Sequence, residues 1–223
     1  MSVIFTRRGP APSTSIALSN FEEGSIVYIN ESGSPVPFYV AKHDYEPDLN
    51  GSGRTLLLRK NSWKAQSMVY MRYTDSNVDN YLNSTYISLL DDVLQAAIGK
   101  TKFRCCYRYV GNYEDFIAEG AIFVLSATEY GLVAESDGTK IPVATEHSKA
   151  IPDGSASGSH WTRTPFYDEN ANVTMPTTSY YYVNADGYCR KDTSGNTQLY
   201  VRPALTLPAM AMFDPETNEF ISA

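Results

Sequence analysis

The order of secondary-structure signals along the chain is the feature that most constrains the fold. Short apolar, β-branched runs separated by turn residues fill residues 24–60, a helical region lies between Asp75 and Ile98, and strand-like runs return from Phe103 onward. Strands, then helices, then strands with long loops are typical of an α+β domain, whereas regular alternation would indicate a parallel sheet. The sequence therefore predicts an α+β fold.

Three hairpins are predicted from turn chemistry. Residues 25–29 and 36–41 are apolar and enclose the turn residues 30–34, and the cluster at residues 185–187 is typical of a hairpin tip. A second such cluster lies at residues 193–196.

Two helices are predicted between the two groups of strands. Asp75 or Ser76 can cap the first helix, and apolar residues recur on one helical face over residues 89–98. Gly99 is placed to end the second helix.

Composition indicates a folded, single-domain chain. The 223 residues are 43% apolar and 19% charged, a globular balance that argues against disorder. Residues 1–20 hold two prolines and no periodicity, which predicts an irregular N-terminal arm serving as a tether, an oligomer contact or a frayed end. Residues 21–223 are predicted to form one domain.

Charge and hydropathy exclude several classes of protein. The net charge is −7 and Lys and Arg form no cluster, so we expect no nucleic-acid partner. The apolar runs are shorter than the roughly 18 residues of a membrane span. The first twenty residues lack the order of a signal peptide, so neither membrane insertion nor a secretory leader is expected.

The motifs of catalysis and metal binding are missing from the sequence. No GxSxG, HExxH, P-loop or GxGxxG pattern occurs, so we expect no catalytic residue and no cofactor. Cys105, Cys106 and Cys189 lack the spacing of a zinc site or a disulfide framework and are predicted to be reduced thiols. Residues 168–172 offer oxygen ligands on a loop, which leaves a calcium ion there as an open alternative to no metal.

Aromatic and polar residues of the C-terminal third form the candidate binding site. The chain has 17 Tyr residues, and Trp, Arg and Tyr dominate the energetics of binding surfaces. The predicted ligand-binding residues are Trp161, Arg163, Tyr180, Tyr182, Asn184, Asn196 and Tyr200. The alternative is that Trp161 and Arg202 belong to a packed core with buried hydrogen bonds.

Four segments of the chain together resemble a known but uncharacterised domain family. They are residues 73–83 (Y-x-x-S, then Y-L-N), residues 122–130 (F-V-L-S-x-x-E), residues 161–165 (W-x-R-T-P) and residues 201–205 (V-R-P-A-L). The chain departs from the family pattern at Tyr81, where Trp is usual, and around Trp161. The family is found in gut and Gram-positive bacteria and their prophages, and the resemblance spans about residues 25–207.

This resemblance implies a C-type-lectin-like fold, similar to the formylglycine-generating-enzyme type. Such a fold packs two helices on a twisted antiparallel sheet and carries long, variable loops that serve as a binding face. The resemblance supplies no catalytic residue.

The resulting functional hypothesis is a non-enzymatic virion protein of a phage or prophage, in a tail or fibre. It would bind a host-surface glycan or protein through its C-terminal aromatic loops, contact other virion proteins and form a homo-oligomer. It would reside in the virion, or in the bacterial cytoplasm when expressed from a prophage. The main alternative is a structural adaptor, and the remote one is a copper-dependent oxidase of the formylglycine-generating type.

Overall fold

Strands dominate the architecture. The structure, a computed structural model, describes residues 15–69, 72–109, 112–155, 157–166, 179–192 and 197–223. The strands within those residues are β1 (Ile16–Ala17), β2 (Ile26–Glu31), β3 (Ser34–Lys42), β4 (Arg54–Arg59), β5 (Trp63–Ser67), β6 (Thr101–Tyr109), β7 (Asn112–Gly120), β8 (Ile122–Phe123), β9 (His160–Pro165), β10 (Tyr180–Val183), β11 (Cys189–Asp192), β12 (Gln198–Val201), β13 (Ala204–Pro208), β14 (Met212–Phe213) and β15 (Phe220–Ser222). The α-helices are α1 (Pro47–Asn50), α2 (Asn77–Tyr81), α3 (Asp92–Ile98) and α4 (Pro142–Glu146).

The strands form four sheets. One five-stranded sheet has the order β2-β3-β4-β13-β8, and a second has the order β11-β10-β9-β12-β5. β6 and β7 form a separate two-stranded ribbon, and β1, β14 and β15 form a small three-stranded sheet. The pairing between β9 and β12 is parallel, so the second sheet is mixed.

Central and edge positions explain the strand sequences. β4 lies between β3 and β13, and its three successive leucines, residues 56–58, are all buried. A strand covered on both faces needs such a continuous apolar run. The predicted hairpin at residues 25–41 is confirmed: β2 pairs with β3, and Ser32 and Gly33 turn the chain with φ of 53° and 79°.

Both predicted helical regions exist, but they are short. The Ser76 hydroxyl accepts from the Asp79 amide and caps α2. The chain continues after α2 as a π-helical turn and then a 3-10 turn, which ends at Leu89. α3 begins after Asp91, whose carboxylate accepts from the Leu94 amide, and spans 7 residues. The helical periodicity therefore located both segments and overestimated the length of the second, because α3 begins only at Asp92.

The C-type-lectin-like, α+β expectation is wrong. Strands make up about 41% of the structure and helices about 19%, and within the described residues no pair of helices packs on one sheet in the manner expected. The apolar face assigned to one long helix at residues 89–98 is divided, because Leu90 precedes α3 and Val93 is exposed. The architecture is instead a mostly-β arrangement of four sheets with short helical segments.

The core draws residues from both five-stranded sheets, the β6–β7 ribbon and the helical segments. Its members include Ile29, Phe38, Leu57, Val78, Leu82, Leu94, Phe103, Phe123, Trp161, Val201 and Leu205. Of the predicted arm, residues 1–14 lie outside the described residues. Residues 16–20 are integrated, since β1 pairs with β14 and Leu18 is buried.

Candidate functional site

Three of the predicted ligand-binding residues are buried. Trp161 and Arg163 are 0% exposed and Tyr180 is 1% exposed. The Trp161 indole donates to the Gln66 carbonyl over 2.7 Å, so its polar atom already has a partner. These three side chains form part of the interior, as the packed-core alternative for Trp161 predicted.

Arg163 lies at the centre of a buried hydrogen-bond network. Its Nη1 donates to Glu129 Oε2 over 2.7 Å, and its guanidinium also donates to the carbonyls of Arg104, Val124 and Asp137. Burial lowers the pKa of Arg163, but the charge and hydrogen bond of Glu129 and the charge of Tyr45 together raise this pKa well above its usual value. The guanidinium therefore stays charged and joins β9 to the β6–β7 ribbon and two loops.

The Glu129 carboxylate also has hydrogen-bond partners for both of its oxygens. Its carboxylate accepts from the Tyr45 hydroxyl over 2.7 Å and from the Ser126 amide over 2.9 Å, in addition to Arg163. Burial, followed by the charge of Glu129, raises the pKa of Tyr45, so this hydroxyl remains a donor. These hydrogen bonds give both carboxylate oxygens of Glu129 a partner.

Two further buried arginines brace the other parts of the fold. Arg59 makes paired hydrogen bonds to Glu31, over 2.8 and 2.9 Å, and the Tyr86 hydroxyl donates to the same carboxylate. Arg202, in the segment between β12 and β13, donates to the carbonyls of Arg59 and His147 over 2.8 and 2.6 Å. The buried role expected for Arg202 in the packed-core alternative is confirmed.

Tyr182 and Tyr200 lie on opposite faces of one sheet. Tyr182 is paired with Trp161 across β9 and β10, and Tyr200 is paired with His160 across β9 and β12. Directly paired residues share a face of a sheet, and successive residues alternate between faces. Since His160 and Trp161 are adjacent, the two tyrosines cannot contact the same small ligand.

Asn184 has a structural position in the hairpin between β10 and β11. Its side-chain oxygen accepts from the amides of Asp186 and Tyr188 over 3.1 and 2.8 Å. Gly187 has a φ of 88°, and a Cβ there would lie 2.9 Å from Ser148 Oγ. This turn confirms the predicted hairpin tip at residues 185–187, whereas Asn196 and the cluster at residues 193–196 lie outside the described residues.

One face of this hairpin presents an aromatic and cationic surface. Tyr182 is paired with Arg190 across β10 and β11, and the Arg190 guanidinium carbon lies 5.9 Å from the centre of the Tyr188 ring. Tyr188 is 62% exposed, whereas Tyr182 is partly buried and contacts the Trp161 ring edge-to-face at 6.4 Å. We call Tyr182, Tyr188 and Arg190 the aromatic strip.

The sequence analysis missed two members of the aromatic strip, Tyr188 and Arg190. Both follow the turn at residues 185–187, which the sequence did indicate. A hairpin centred there places Arg190 opposite Tyr182 and Tyr188 two residues before it on the same face. The signal was therefore present, but it required the strand register to be used.

The cysteines have the properties of thiols rather than thiolates. Burial raises the pKa of Cys105 to about 12 and that of Cys189 to about 11. No group of three or more His, Cys, Asp or Glu side chains suited to a metal ion occurs among the described residues. The calcium alternative at residues 168–172 lies outside them.

Comparison with known proteins places the chain in a family. A family model described as a domain of unknown function, DUF6273, matches residues 52–209. The chain belongs to this family. The matched residues include most strands of the two five-stranded sheets. No curated protein and no solved structure matches the chain. No helix in the described part of the chain is long and apolar enough to cross a membrane.

Proposed function

We propose that this chain is a non-catalytic recognition domain that binds its ligand through the aromatic strip. The observation that carries the proposal is the exposed Tyr188 ring, with the Arg190 guanidinium beside it and in strand register with Tyr182. An aromatic ring beside a cation provides both a stacking surface and directed hydrogen-bond donors.

Rigid support favours this surface over other exposed side chains. The Asn184 side chain fixes the hairpin turn, and Tyr182 packs edge-to-face against the buried Trp161 on the neighbouring strand. A prearranged surface loses less conformational entropy when a ligand binds. The strip therefore combines exposure with a fixed geometry.

The proposed ligand is a glycan or protein on a host cell surface. Sugar rings and apolar peptide side chains stack on tyrosine, and the guanidinium can donate to hydroxyl, carboxylate or phosphate oxygens. We place the domain in a tail or fibre of a phage or prophage virion. The support for this setting is the sequence resemblance given above.

The oxidase alternative receives no support from the cysteines. Copper binds thiolates, and a metal ligand must be deprotonated. Burial raises the pKa of both Cys105 and Cys189, which makes the thiolate harder to form at these positions. We therefore propose binding rather than oxidation.

The test is a binding screen of the purified chain on a glycan array and on intact Gram-positive cells. We expect Tyr188→Ala and Arg190→Ala each to weaken binding by about tenfold or more, the effect of removing a central contact residue. Both side chains are exposed, so these variants should keep the fold.

Tyr200→Ala is the matched control, since it removes a tyrosine from the opposite face of the same sheet. Binding that falls with Tyr188→Ala and Arg190→Ala but survives Tyr200→Ala supports the strip. Binding unchanged by both strip variants would refute this site. A chain that binds no array glycan and no cell would favour the structural adaptor.

A further inference from the structure

An apolar groove lies beside α3 and the C-terminal residues. It has a volume of about 520 Å³ and is lined by Val93, Ala96, Ala97, Pro208 and Ala223. Val93 is 56% exposed, and the exposed Met210 and Ile221 are two residues from Pro208 and Ala223 respectively. Exposed apolar side chains gathered in this way typically mark an interaction site.

The undescribed N-terminal residues contain an apolar run of matching character. Residues 3–5 are Val-Ile-Phe, followed by Arg7 and Arg8. Phe5 lies ten positions before Ser15, which the structure describes, and an extended chain of that length spans roughly 35 Å. The run can therefore reach a groove on a neighbouring molecule.

Charge complements the apolar match. Asp91 and Asp92 directly precede Val93 in the sequence, and both are exposed. Arg7 and Arg8 follow the apolar run at a similar short distance. A segment that places its apolar residues in the groove would therefore bring two positive charges near two negative ones.

The direction of β1 favours a neighbouring copy over the same molecule. Ile16 is opposite Phe213 and Ala17 is opposite Met212, while Met212 is also opposite Ser222. The chain traced back from Ala17 to Ile16 thus runs away from the end of the sheet where Ala223 lines the groove. Prolines at positions 10 and 12 are typical of extended, semi-rigid linkers.

We propose that residues 3–5 of one copy dock in the groove of a second copy. Exchange of these segments would join copies of this chain into an assembly. The inference is independent of the aromatic strip and goes beyond ligand recognition.

The first test is the mass of the full chain by light scattering. We expect a multiple of 24.8 kDa for the unaltered protein. We expect the single-chain mass for Val3→Ser/Ile4→Ser/Phe5→Ser and for Val93→Glu. Val93 is exposed in the first turn of α3, where an acidic residue suits the helix dipole, so Val93→Glu should fold.

Ile151→Glu is the matched control, since Ile151 is 46% exposed and does not line the groove. It should keep the assembled mass. A single-chain mass for the unaltered protein, or an assembled mass for both the Ser variant and Val93→Glu, would overturn the proposal.

Crosslinking then identifies the occupant. Ile4→Cys is placed in one tagged chain and Ala96→Cys in a differently tagged chain, and the mixture is oxidised. A disulfide joining the two tags supports exchange between copies. The absence of a disulfide joining the two tags overturns it.

Discussion

Arg163 and Glu129 form an ion pair of 2.7 Å in which both side chains are 0% exposed. The two residues are 34 positions apart and belong to two of the segments on which the family resemblance rests. Their shared burial shows that these motif residues hold the sheets and the ribbon together. Burial of both charges is tolerated because backbone and hydroxyl groups satisfy the remaining hydrogen bonds.

Breaking this pair from one side should strongly destabilise the fold. We expect Arg163→Met to lower the free energy of unfolding by about 3–5 kcal/mol, because the Glu129 carboxylate remains buried without its partner. Urea unfolding followed by tryptophan fluorescence measures this loss. The double variant Arg163→Met/Glu129→Met should lose less than the sum of the single variants.

The exposed pair of Lys100 and Glu119 provides the control. Its charged atoms are 3.5 Å apart and its side chains are 76% and 44% exposed. Glu119→Gln should therefore change stability by less than about 1 kcal/mol. Equal losses of stability for Glu119→Gln and Arg163→Met would contradict the claim that burial sets the cost of breaking an ion pair. Strict additivity in the double variant would contradict it as well.

Local signals in the sequence located most elements, and the arrangement of those elements could not be predicted. The hairpin at Ser32 and Gly33 follows from turn chemistry, and Ser76 caps its helix as predicted. The parallel contact of Tyr200 with His160 joins strands that are distant in sequence. No local pattern encodes such a pairing, so the number of sheets was not predictable.

The predicted ligand-binding residues do not form one common surface, for a related reason. Composition selected Trp161, Arg163 and Tyr180 as binding residues, but a large side chain suits a core as well as a surface. Only strand register separates Tyr182 from Tyr200, and only the register brings Arg190 to Tyr182. Residue type does not separate a buried position from an exposed one in this region, and the strand pairing decides which face each side chain occupies.

Buried and exposed aromatic residues of this region should differ sharply in their effect on stability. Trp161→Ala removes a fully buried ring and should cost about 3–5 kcal/mol. Tyr188→Ala removes a ring that is 62% exposed and should stay within about 0.5 kcal/mol. Thermal and urea unfolding compare the two, and a large loss for Tyr188→Ala would show that the strip is structural.

Acid should destabilise the fold through His160. This side chain is fully buried, its Nε2 lies 3.2 Å from the Tyr130 hydroxyl oxygen, and its Nδ1 lacks a partner within the described chain. Burial, and then the charge of Arg202, lowers the pKa of His160 well below 6.5. The unfolded chain therefore binds a proton below pH 6.5 that the folded chain does not, and stability falls with pH.

His160→Gln removes this titration and keeps a polar side chain. We expect the unaltered protein to lose its stability advantage over His160→Gln as the pH falls from 7 to 5. Urea unfolding at each pH gives the difference between the two proteins. A difference that is constant over this range would show that His160 does not titrate on unfolding.

Asp79 should have the opposite dependence on pH. Burial, followed by the charge of Asp75, raises the pKa of Asp79 from 3.8 to about 7. Between these values the folded chain holds a proton that the unfolded chain has released, so this contribution to stability is present at acid pH and is lost as the pH rises through 7. Because solvent still reaches the carboxyl, we expect a loss of about 1 kcal/mol.

Asp79→Asn, which keeps a side chain able to contact Asn83, should be more stable relative to the unaltered protein at pH 8 than at pH 4. Asp75→Asn should reduce the same loss without removing the carboxyl of Asp79. Urea unfolding at both pH values measures each difference, and an Asp79→Asn difference that is the same at pH 4 and pH 8 would mean that Asp79 has an ordinary pKa in the folded chain.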